Sequence, residues 1–296
     1  MQHVEFFHKK HFTDNYHRTA PAAALQHFID FFWETDFDAL WDILPNGFSD
    51  VLFPNVGYTY LINLANPFVM QVGETKFEMK SDGFLPRHKA IECYHRPGNR
   101  LFGVKFRIAP VLFEKKVNFA EYRHYIFPLS YLIESRIVQG VKTAGSFCDR
   151  VTLLNHYFTR MIKQHAGSLP SVDIVREILH CCEQDLHFNV PVKKLAEQYG
   201  ISTRTLQRYF ESATSLSTKG ALQILRIRKA ADQLANRPGE FDFTDYGYYD
   251  YSHFYKHLRR FFNRETLESL QLPAALLKDA KRTTAGNNLP LPALLA

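Results

Sequence analysis

The stretch "VKKLAEQYGISTRTLQRYF", residues 192–210, contains two short helical patterns separated by a glycine. Its apolar residues recur three and four positions apart on both sides of Gly200, which is the spacing of one helix face. A glycine here lets the backbone turn through a positive φ, and Ser202 follows where the N-cap of a second helix belongs. The stretch therefore predicts a helix–turn–helix unit. The side chains expected to hold its helices together are Leu195, Ala196, Tyr199, Ile201, Leu206 and Phe210.

The second helix of this unit has a polar and basic outer face formed by Thr203, Arg204, Gln207 and Arg208. Arginine and glutamine make bidentate hydrogen bonds to guanine and adenine edges, and the first turns of such a helix can enter a major groove. An ordinary pair of helices with a solvated basic face has the same spacing. The spacing alone leaves both interpretations open.

The basic residues of the chain are concentrated in the same region. The formal net charge of the whole chain is +6, and the segment 190–265 holds thirteen Lys and Arg residues against eight Asp and Glu, a surplus of five. A compact basic segment is what neutralisation of DNA phosphates requires. The charge distribution therefore favours a polyanionic partner for this region.

A second, related stretch lies further along the chain. The long helical pattern "TKGALQILRIRKAADQL", residues 218–234, separates the first unit from "YGYYDYSHFYKHLRRFF", residues 246–262. The run "A-x3-G-I-S-x-R-x-L-x-R-x-F" in the first unit and the run "G-Y-x-D-x-S-H-F" in the second resemble the C-terminal domain of AraC/XylS-type transcription regulators. The matching residues are Ala196, Gly200, Ile201, Ser202, Arg204, Leu206, Arg208, Phe210, Gly247, Tyr248, Asp250, Ser252, His253 and Phe254.

This resemblance implies two helix–turn–helix units, joined by a linker helix within residues 172–272, that bind double-stranded promoter DNA about one helical turn apart. Carried over position by position, it implies DNA contacts in the first unit at Thr203, Arg204, Gln207 and Arg208. In the second unit it implies base contacts at Tyr251, Tyr255 and Lys256, and phosphate contacts at Ser252, Arg259 and Arg260.

The second unit departs from the family pattern in its first helix. Phe243 stands where the first unit has Ala196, and "PGEFDFTDYG" is short and irregular for a full helix. We therefore expect the second unit to dock less regularly, or to read DNA mainly through the backbone. Within it, Gly247 is expected to form the turn and Asp250 to cap the recognition helix. The expected buried seam comprises Tyr248, Phe254, Leu258 and Phe261 or Phe262.

The N-terminal half has a different pattern. "VGYTYLI", "PFVMQVG", "TKFEM" and "RLFGVKFRI" are short β-branched or aromatic runs separated by turn residues, and residues 102–108 alternate with the period of a half-buried strand. These runs predict a small β-barrel or sandwich. The fold class is therefore α+β, with a β-rich, barrel-like domain at 1–165 that ends in helices, a linker at 166–171, an all-α domain at 172–272, and a loose tail at 273–296.

The N-terminal half is also similar to the β-rich, cupin-like sensor domains of some bacterial regulators. The similarity lies in "FFWETDFDALWDILPNGFSDVLFPNVG" and "RLFGVKFRIAPVLF", and it implies binding of a small effector or dimerisation. The simpler alternative for the aromatic residues of this half is that they form the core of the β domain. The six candidates for lining an effector pocket are Trp33, Trp41, Phe53, Tyr58, Tyr60 and Phe68.

Metal and catalytic sites find little support. A zinc site needs three or four convergent ligands, whereas His8 and His11 form only a pair and His88 and His95 flank a poorly patterned strand. The four cysteines form no CxxC pair, and the chain has no phosphate loop, nucleophile elbow or HExxH motif. We expect no metal, no cofactor and no enzymatic activity.

These observations predict a cytoplasmic bacterial transcription regulator of the AraC type. The expected partners are promoter DNA, a small-molecule effector, a second copy of the chain and, for an activator, RNA polymerase. No membrane partner is expected, because the chain shows neither a signal-peptide core nor a run of about eighteen apolar residues. The alternative is a ligand-binding or metal-dependent protein whose DNA binding has weakened, and a salt-dependent mobility-shift assay separates the two.

Overall fold

The computed structural model describes residues 15–108, 126–164, 170–261 and 267. Within these ranges, the N-terminal half is built mainly from ten strands. They are β1 (Tyr16–Thr19), β2 (Ile29–Asp36), β3 (Ser49–Leu52), β4 (Tyr58–Asn63), β5 (Phe68–Val72), β6 (Thr75–Met79), β7 (Gly83–Pro86), β8 (Ile91–Tyr94), β9 (Arg100–Phe106) and β10 (Phe127–Pro128).

These strands form two antiparallel sheets. The larger has the order β1-β2-β9-β4-β7-β10 and the smaller the order β3-β8-β5-β6. Phe31, Trp33 and Leu61 of the larger sheet share one hydrophobic core with Phe68 and Met70 of the smaller. The two sheets therefore pack face to face as a sandwich, as the short strand-like runs predicted.

The same described ranges contain eight α-helices. They are α1 (Asp38–Ile43), α2 (Ser135–Thr143), α3 (Phe147–Gln164), α4 (Pro170–Gln184), α5 (Val192–Gln198), α6 (Thr203–Thr214), α7 (Thr218–Asn236) and α8 (Tyr251–Leu258). Short 3₁₀ turns occur at Ala23–Leu25, Leu129–Tyr131, Pro238–Glu240 and Phe243–Tyr246.

Helices α2 and α3 cover the outer face of the larger sheet. Phe102 and Phe106 of β9 share a second core with Leu154 and Phe158 of α3. The buried guanidinium of Arg150 fixes α3 to the sheet, because it lies 3.1 Å from the Glu34 carboxylate and donates to two carbonyl oxygens at the end of α2. The larger sheet is thus covered on both sides.

This double coverage corrects one expectation. The alternation in residues 102–108 predicted a half-buried strand, whereas every residue of β9 after Arg100 is buried. Gly103 permits this, because the Trp33 ring lies where a Cβ would stand, with the nearest ring atom 2.1 Å away. Lys105 is also buried, at 2% exposure, although the alternation had assigned it to solvent.

The C-terminal half is helical around a third core, built from α4 to α8. The predicted α+β class, a β-rich half followed by an all-α half, is confirmed. The domain boundaries stay predictions. The tail at 273–296 lies outside the described residues, as does most of the linker at 166–171, and Pro170 and Ser171 begin α4.

Candidate functional site

The first helix–turn–helix unit is formed by α5, the turn at Gly200 and α6. Gly200 has a φ of +62°, and the Ile201 amide donates to the Ala196 carbonyl at 3.1 Å across the turn. The Ser202 hydroxyl accepts from the Thr205 amide at 3.0 Å, so the predicted N-cap is confirmed. Ala196 and Leu206 are 1% and 0% exposed. This burial agrees with a close crossing of α5 and α6, which the small side chain of Ala196 permits.

Three of the four predicted contact residues of this unit are exposed on α6, namely Thr203, Arg204 and Arg208. Gln207 is half-buried and bonded at both ends of its amide. Its Nε2 donates to Glu211 at 2.9 Å, and its Oε1 accepts from the Thr218 amide at 3.2 Å. Gln207 therefore ties the first recognition helix to the start of the linker helix α7.

The second unit replaces its first helix with the 3₁₀ turn Phe243–Tyr246, which agrees with the irregularity of its sequence. Gly247 follows with a φ of +71° and forms the turn. The Asp250 carboxylate accepts from the His253 amide at 2.7 Å, so this predicted N-cap is also confirmed. The recognition helix α8 has only eight residues.

The exposed face of α8 matches the prediction at most positions. Ser252 and Lys256 on α8, and Arg259 and Arg260 just beyond it, are exposed, and Tyr251 is half-buried. The outward orientation expected for Tyr255 is wrong. Tyr255 is 5% exposed and belongs to the helical core, because four of the eight residues of this short helix face inward.

The linker helix anchors the second unit through Arg226. The Arg226 guanidinium lies 3.6 Å from the centroid of the Tyr248 ring. It donates to Asn189 Oδ1 at 3.1 Å and to the Gly247 carbonyl, which also accepts from Asn189 Nδ2 at 3.1 Å. The sequence analysis did not predict this cluster. Its only indication in the sequence was that Arg226 stands between apolar residues of the linker helix.

His257 is buried in the same unit, with its Nδ1 2.6 Å from the Tyr248 hydroxyl. Burial, reinforced by the nearby Arg226 and Arg260 charges, lowers the pKa of His257 from 6.5 to about 4. Burial likewise raises the pKa of Tyr248 well above its ordinary value. Both side chains are therefore neutral parts of the core at physiological pH.

His257 predicts a pH dependence of stability. Since its pKa in the folded chain is below that in the unfolded chain, the unfolded chain binds more protons between these values. The stabilisation is present above pH 6.5 and is lost as the pH falls toward about 4, by about 2 kcal/mol after allowance for solvent contact. We expect His257→Phe to flatten this dependence in urea unfolding. The control His156→Phe, at an exposed position on α3 of the N-terminal half, should keep the wild-type slope, and equal slopes in all three proteins would contradict the prediction.

The six aromatic residues predicted for an effector pocket do not converge. Trp33 and Phe68 lie in the core between the sheets, beside a cavity of only about 20 Å³. Tyr58 and Tyr60 lie in the core under α3. Phe53 belongs to the helical core, and Trp41 packs on Phe48 with ring centroids 5.0 Å apart. The pocket prediction is wrong for this set, because five of these side chains fill three separate cores and the half-buried Trp41 lies outside them.

The largest cavity that we describe lies between the β-rich half and the helical half and has a volume of about 460 Å³. Its apolar lining includes Val56, Phe106 and Ile108 from the first half and Leu179 and Leu225 from the second. Because residues from both halves line it, a molecule in this cavity would contact both.

Lys105 is the distinctive polar group of this cavity. Its side chain is buried, and Nζ has no hydrogen-bond partner among the described residues. Burial, with the charges of Arg87 and Arg228 nearby, places the pKa of Lys105 well below its ordinary value of 10.5. Burial and Arg87 also lower the pKa of Arg228 to about 10. Lys105 lines the cavity, and the buried Arg87 and Arg228, which do not line it, act on Lys105 through their charges.

The acidic groups that line the cavity already have partners. Asp30 lies 2.9 Å from Arg107, and Glu183 lies 3.4 Å from Lys229. Glu177 is hydrogen-bonded to the side chain of Tyr199. Asp30 favours the charged form of Lys105 through its negative charge, but burial and the nearby arginines outweigh it, so the pKa of Lys105 stays lowered.

No cluster of three or more metal-ligating side chains occurs within the described ranges. His95 lies 2.9 Å from Asn99 and 3.3 Å from Asp50, between aromatic rings. His8 and His11 lie outside the described part of the chain. None of the four cysteines, all within the described ranges, forms a disulfide; Cys93 and Cys182 are buried, and Cys148 and Cys181 are exposed. No helix in the described part is long and apolar enough to span a bilayer.

Comparison with protein families matches residues 195–266 to a helix-turn-helix domain. This range begins in α5 and extends beyond α8, so it contains both units described above. The predicted AraC-type double helix–turn–helix domain, and with it the prediction of a DNA-binding transcription regulator, is confirmed. The matched family is a DNA-binding family and not an enzyme family. A comparison with curated protein sequences finds no match.

Among solved structures, the chain is similar to ToxT from Vibrio cholerae, with 9% identity, a TM-score of 0.43, and coverage of 84% of this chain and 96% of that one. A structure of ToxT with a bound unsaturated fatty acid gives 12% identity, a TM-score of 0.39, and coverage of 72% and 87%. The AraC-like transcriptional activator CuxR gives 8%, 0.24, and coverage of 76% and 90%. At these TM-scores the likenesses support no inference about this chain.

Proposed function

We propose that this protein binds promoter DNA by inserting α6 and α8 into successive major grooves. The observation that carries this proposal is that both helices are N-capped and present basic side chains to solvent. We assign contacts with base edges to Arg204 and Arg208 on α6 and to Lys256 on α8. We assign contacts with DNA phosphates to Arg259 and Arg260. Tyr255 is withdrawn from this set, because a side chain in the core cannot reach a base edge.

The sharpest test combines Arg204→Ala and Lys256→Ala with the specific promoter site and a scrambled duplex. We expect each substitution to weaken specific binding by about 1–3 kcal/mol, because each removes a contact to a base edge. Arg136→Ala, an exposed arginine on α2 of the N-terminal half, removes the same charge far from α6 and α8 and is the matched control. Mobility-shift titrations over a range of salt concentrations measure the effect.

Two results would contradict the assignment. If Arg204→Ala and Lys256→Ala both left specific affinity at the control value, α6 and α8 would not be the readers. If wild-type protein bound the promoter site and the scrambled duplex equally at every salt concentration, only non-specific phosphate binding would operate. That second result would favour the alternative of a ligand-binding protein with weakened DNA binding.

We propose further that the cavity between the halves takes an organic monoanion with an apolar body. The support is the combination of five apolar lining residues with the buried Lys105, whose Nζ has no hydrogen-bond partner in the part of the chain that the structure describes. Burying an unpaired cation costs several kcal/mol of folding free energy, so an anion that binds beside it would offset part of this cost. Calorimetric titration with alkyl carboxylates, and with alcohols of the same chain length as controls, tests this.

Two further partners and a location are proposed on the resemblance to AraC/XylS-type regulators. A second copy of the chain and, for an activator, RNA polymerase are expected to bind at the promoter, in the cytoplasm. Two recognition helices in one chain can already span two successive grooves. Sedimentation of the full chain with and without promoter DNA tests whether dimerisation is also used.

A further inference from the structure

The segment Phe53–Tyr58, which we name the docking segment, joins β3 to β4 in the N-terminal half but packs into the helical half. Phe53 and Val56 are 0% and 2% exposed and belong to the core formed by the helices of the DNA-binding domain. The linker helix α7 is buried around most of its circumference, which a helix normally shows only when it is covered on all sides. The docking segment supplies part of that cover.

Polar contacts hold the docking segment at both ends. The Arg228 guanidinium of α7 donates to the Pro54 carbonyl at 3.3 Å, and Arg87 donates to the Phe53 carbonyl at 2.8 Å. At the other end, the Tyr58 hydroxyl donates to Ser215 Oγ at 2.6 Å in a buried environment. Hydrogen bonds of this kind fix orientation as well as contributing stability, because a buried hydroxyl left unpaired is costly.

Ser215 stands at the corner between the first recognition helix and the linker helix. It is the C-cap of α6, in the left-handed region with a φ of 57°, and its amide donates to the Glu211 carbonyl at 2.9 Å. Only two residues later, Ser217 caps α7. A residue other than glycine holds this conformation only where its surroundings impose it. The Tyr58 hydroxyl is one of those surroundings.

The docking segment also forms part of the cavity between the halves. Asn55 and Val56 line it, and a Cβ on Gly57 would stand 3.0 Å from Nζ of Lys105. One continuous stretch of six residues thus runs from the buried cation of the cavity to the end of the first recognition helix. Gly57, which lies beside Lys105, is followed directly by Tyr58, whose hydroxyl contacts Ser215.

We propose that the docking segment positions the first recognition helix, with Tyr58 and Ser215 as positioning residues for DNA reading by α6. In this proposal the N-terminal half contributes directly to DNA reading by the first helix–turn–helix unit, in addition to any role in sensing an effector. This inference rests on the proposed function, because it concerns how α6 reads DNA. It adds that the N-terminal half acts on the first unit, at the corner between α6 and α7.

The test uses the full chain with Tyr58→Phe, Ser215→Ala and the double variant. Tyr60→Phe is the matched control, since Tyr60 lies two residues on in β4 and its ring contacts Phe84, Phe106 and Phe158 of the N-terminal half. Each protein is titrated with the promoter duplex and with duplexes substituted in one half of the site. Arg204→Ala identifies the half that α6 reads, because it removes discrimination only there.

We expect Tyr58→Phe and Ser215→Ala each to reduce affinity for the promoter duplex by about fivefold to tenfold. The loss should appear as weaker discrimination in the half read by α6, with discrimination in the other half unchanged. The double variant should resemble either single variant, since both remove one hydrogen bond. Tyr60→Phe should keep wild-type discrimination in both halves.

A merely structural role gives a different result. Tyr58→Phe would then lower the melting temperature while leaving discrimination unchanged in both halves, or would weaken both halves equally, and either outcome overturns the inference. Additive losses in the double variant would overturn it as well. Failure of the proposed function is recognised separately, because wild-type protein would then show no discrimination in either half.

Discussion

Replacing Lys105 with methionine is expected to stabilise the ligand-free protein by about 2 kcal/mol, because it removes a buried amine whose Nζ has no hydrogen-bond partner among the described residues. Methionine keeps the length of the side chain and fills the same space. Denaturant unfolding at neutral pH measures the change. Lys229→Met is the informative control, since Lys229 lies 3.4 Å from the buried carboxylate of Glu183 and its removal leaves that charge unpaired.

The pH dependence of this difference has a definite sign. The pKa of Lys105 is lowered in the folded chain, so the unfolded chain binds more protons between the folded value and 10.5, and wild-type stability rises with pH in that window. The advantage of Lys105→Met should therefore be largest below the folded pKa and shrink as the pH approaches 10.5. A variant that is less stable than wild type at neutral pH would contradict the assignment of Lys105 as an uncompensated charge.

Lys105→Met also tests whether the cavity prefers an anionic ligand to a neutral one. Wild-type protein should bind an alkyl carboxylate more tightly than the alcohol of equal length, and Lys105→Met should abolish the difference. Because an anion favours the charged form of Lys105, binding at pH values above the pKa of Lys105 in the folded chain should be accompanied by proton uptake and should weaken as the pH rises. Calorimetry in two buffers of different ionisation enthalpy measures the uptake. Equal affinity for carboxylate and alcohol in wild-type protein would contradict the proposed monoanion.

Replacing Arg226 with methionine is expected to destabilise the protein by about 3 kcal/mol, because the change removes two hydrogen bonds from a charged donor and a cation–π contact. The Gly247 carbonyl and Asn189 would lose their common partner at the turn of the second unit. Thermal unfolding measures the loss of stability. Mobility-shift titration should show a lower affinity for DNA, because α8 is held less firmly.

Arg237→Met is the control for this change. Arg237 is an arginine of the same region, 71% exposed, whose ion pair with Glu240 lies at the surface. We expect it to alter stability by less than about 1 kcal/mol, as exposed ion pairs usually do. If Arg226→Met and Arg237→Met had equal effects, Arg226 would not be the anchor of the second unit.

The sequence predicted those features whose physical signal is local. The turn at Gly200, the caps at Ser202 and Asp250 and the exposed residues of α6 all follow from the order of neighbouring residues within one helix or turn. Even the short first helix of the second unit was visible, because Phe243 stands where a small residue is needed for a close helix crossing. The structure contradicts the outward orientation predicted for Tyr255, which depends on how much of α8 is covered, and it shows Gln207 half-buried and bonded within the chain.

The sequence did not predict features that depend on packing between distant segments. Lys105 occupies a position that alternation assigns to solvent, and only the packing of the helical half against β9 buries it. The six aromatic residues suggested a pocket because of their type, but spacing could not show that five of them lie in three separate cores and that Trp41 lies outside these cores. The docking segment could not be predicted either, because nothing in the sequence around Phe53 indicates that its side chain packs into the helical core.

The bonded state of Gln207 has a consequence for the DNA sequences that this protein would accept. Its amide already serves Glu211 and Thr218, so contact with an adenine requires exchanging existing hydrogen bonds for new ones of similar strength. Arg204 and Arg208 are exposed and need no such exchange. If these three side chains read bases as proposed, bound promoter sites should be strict at the base pairs that face the two arginines and permissive at the base pair that faces Gln207.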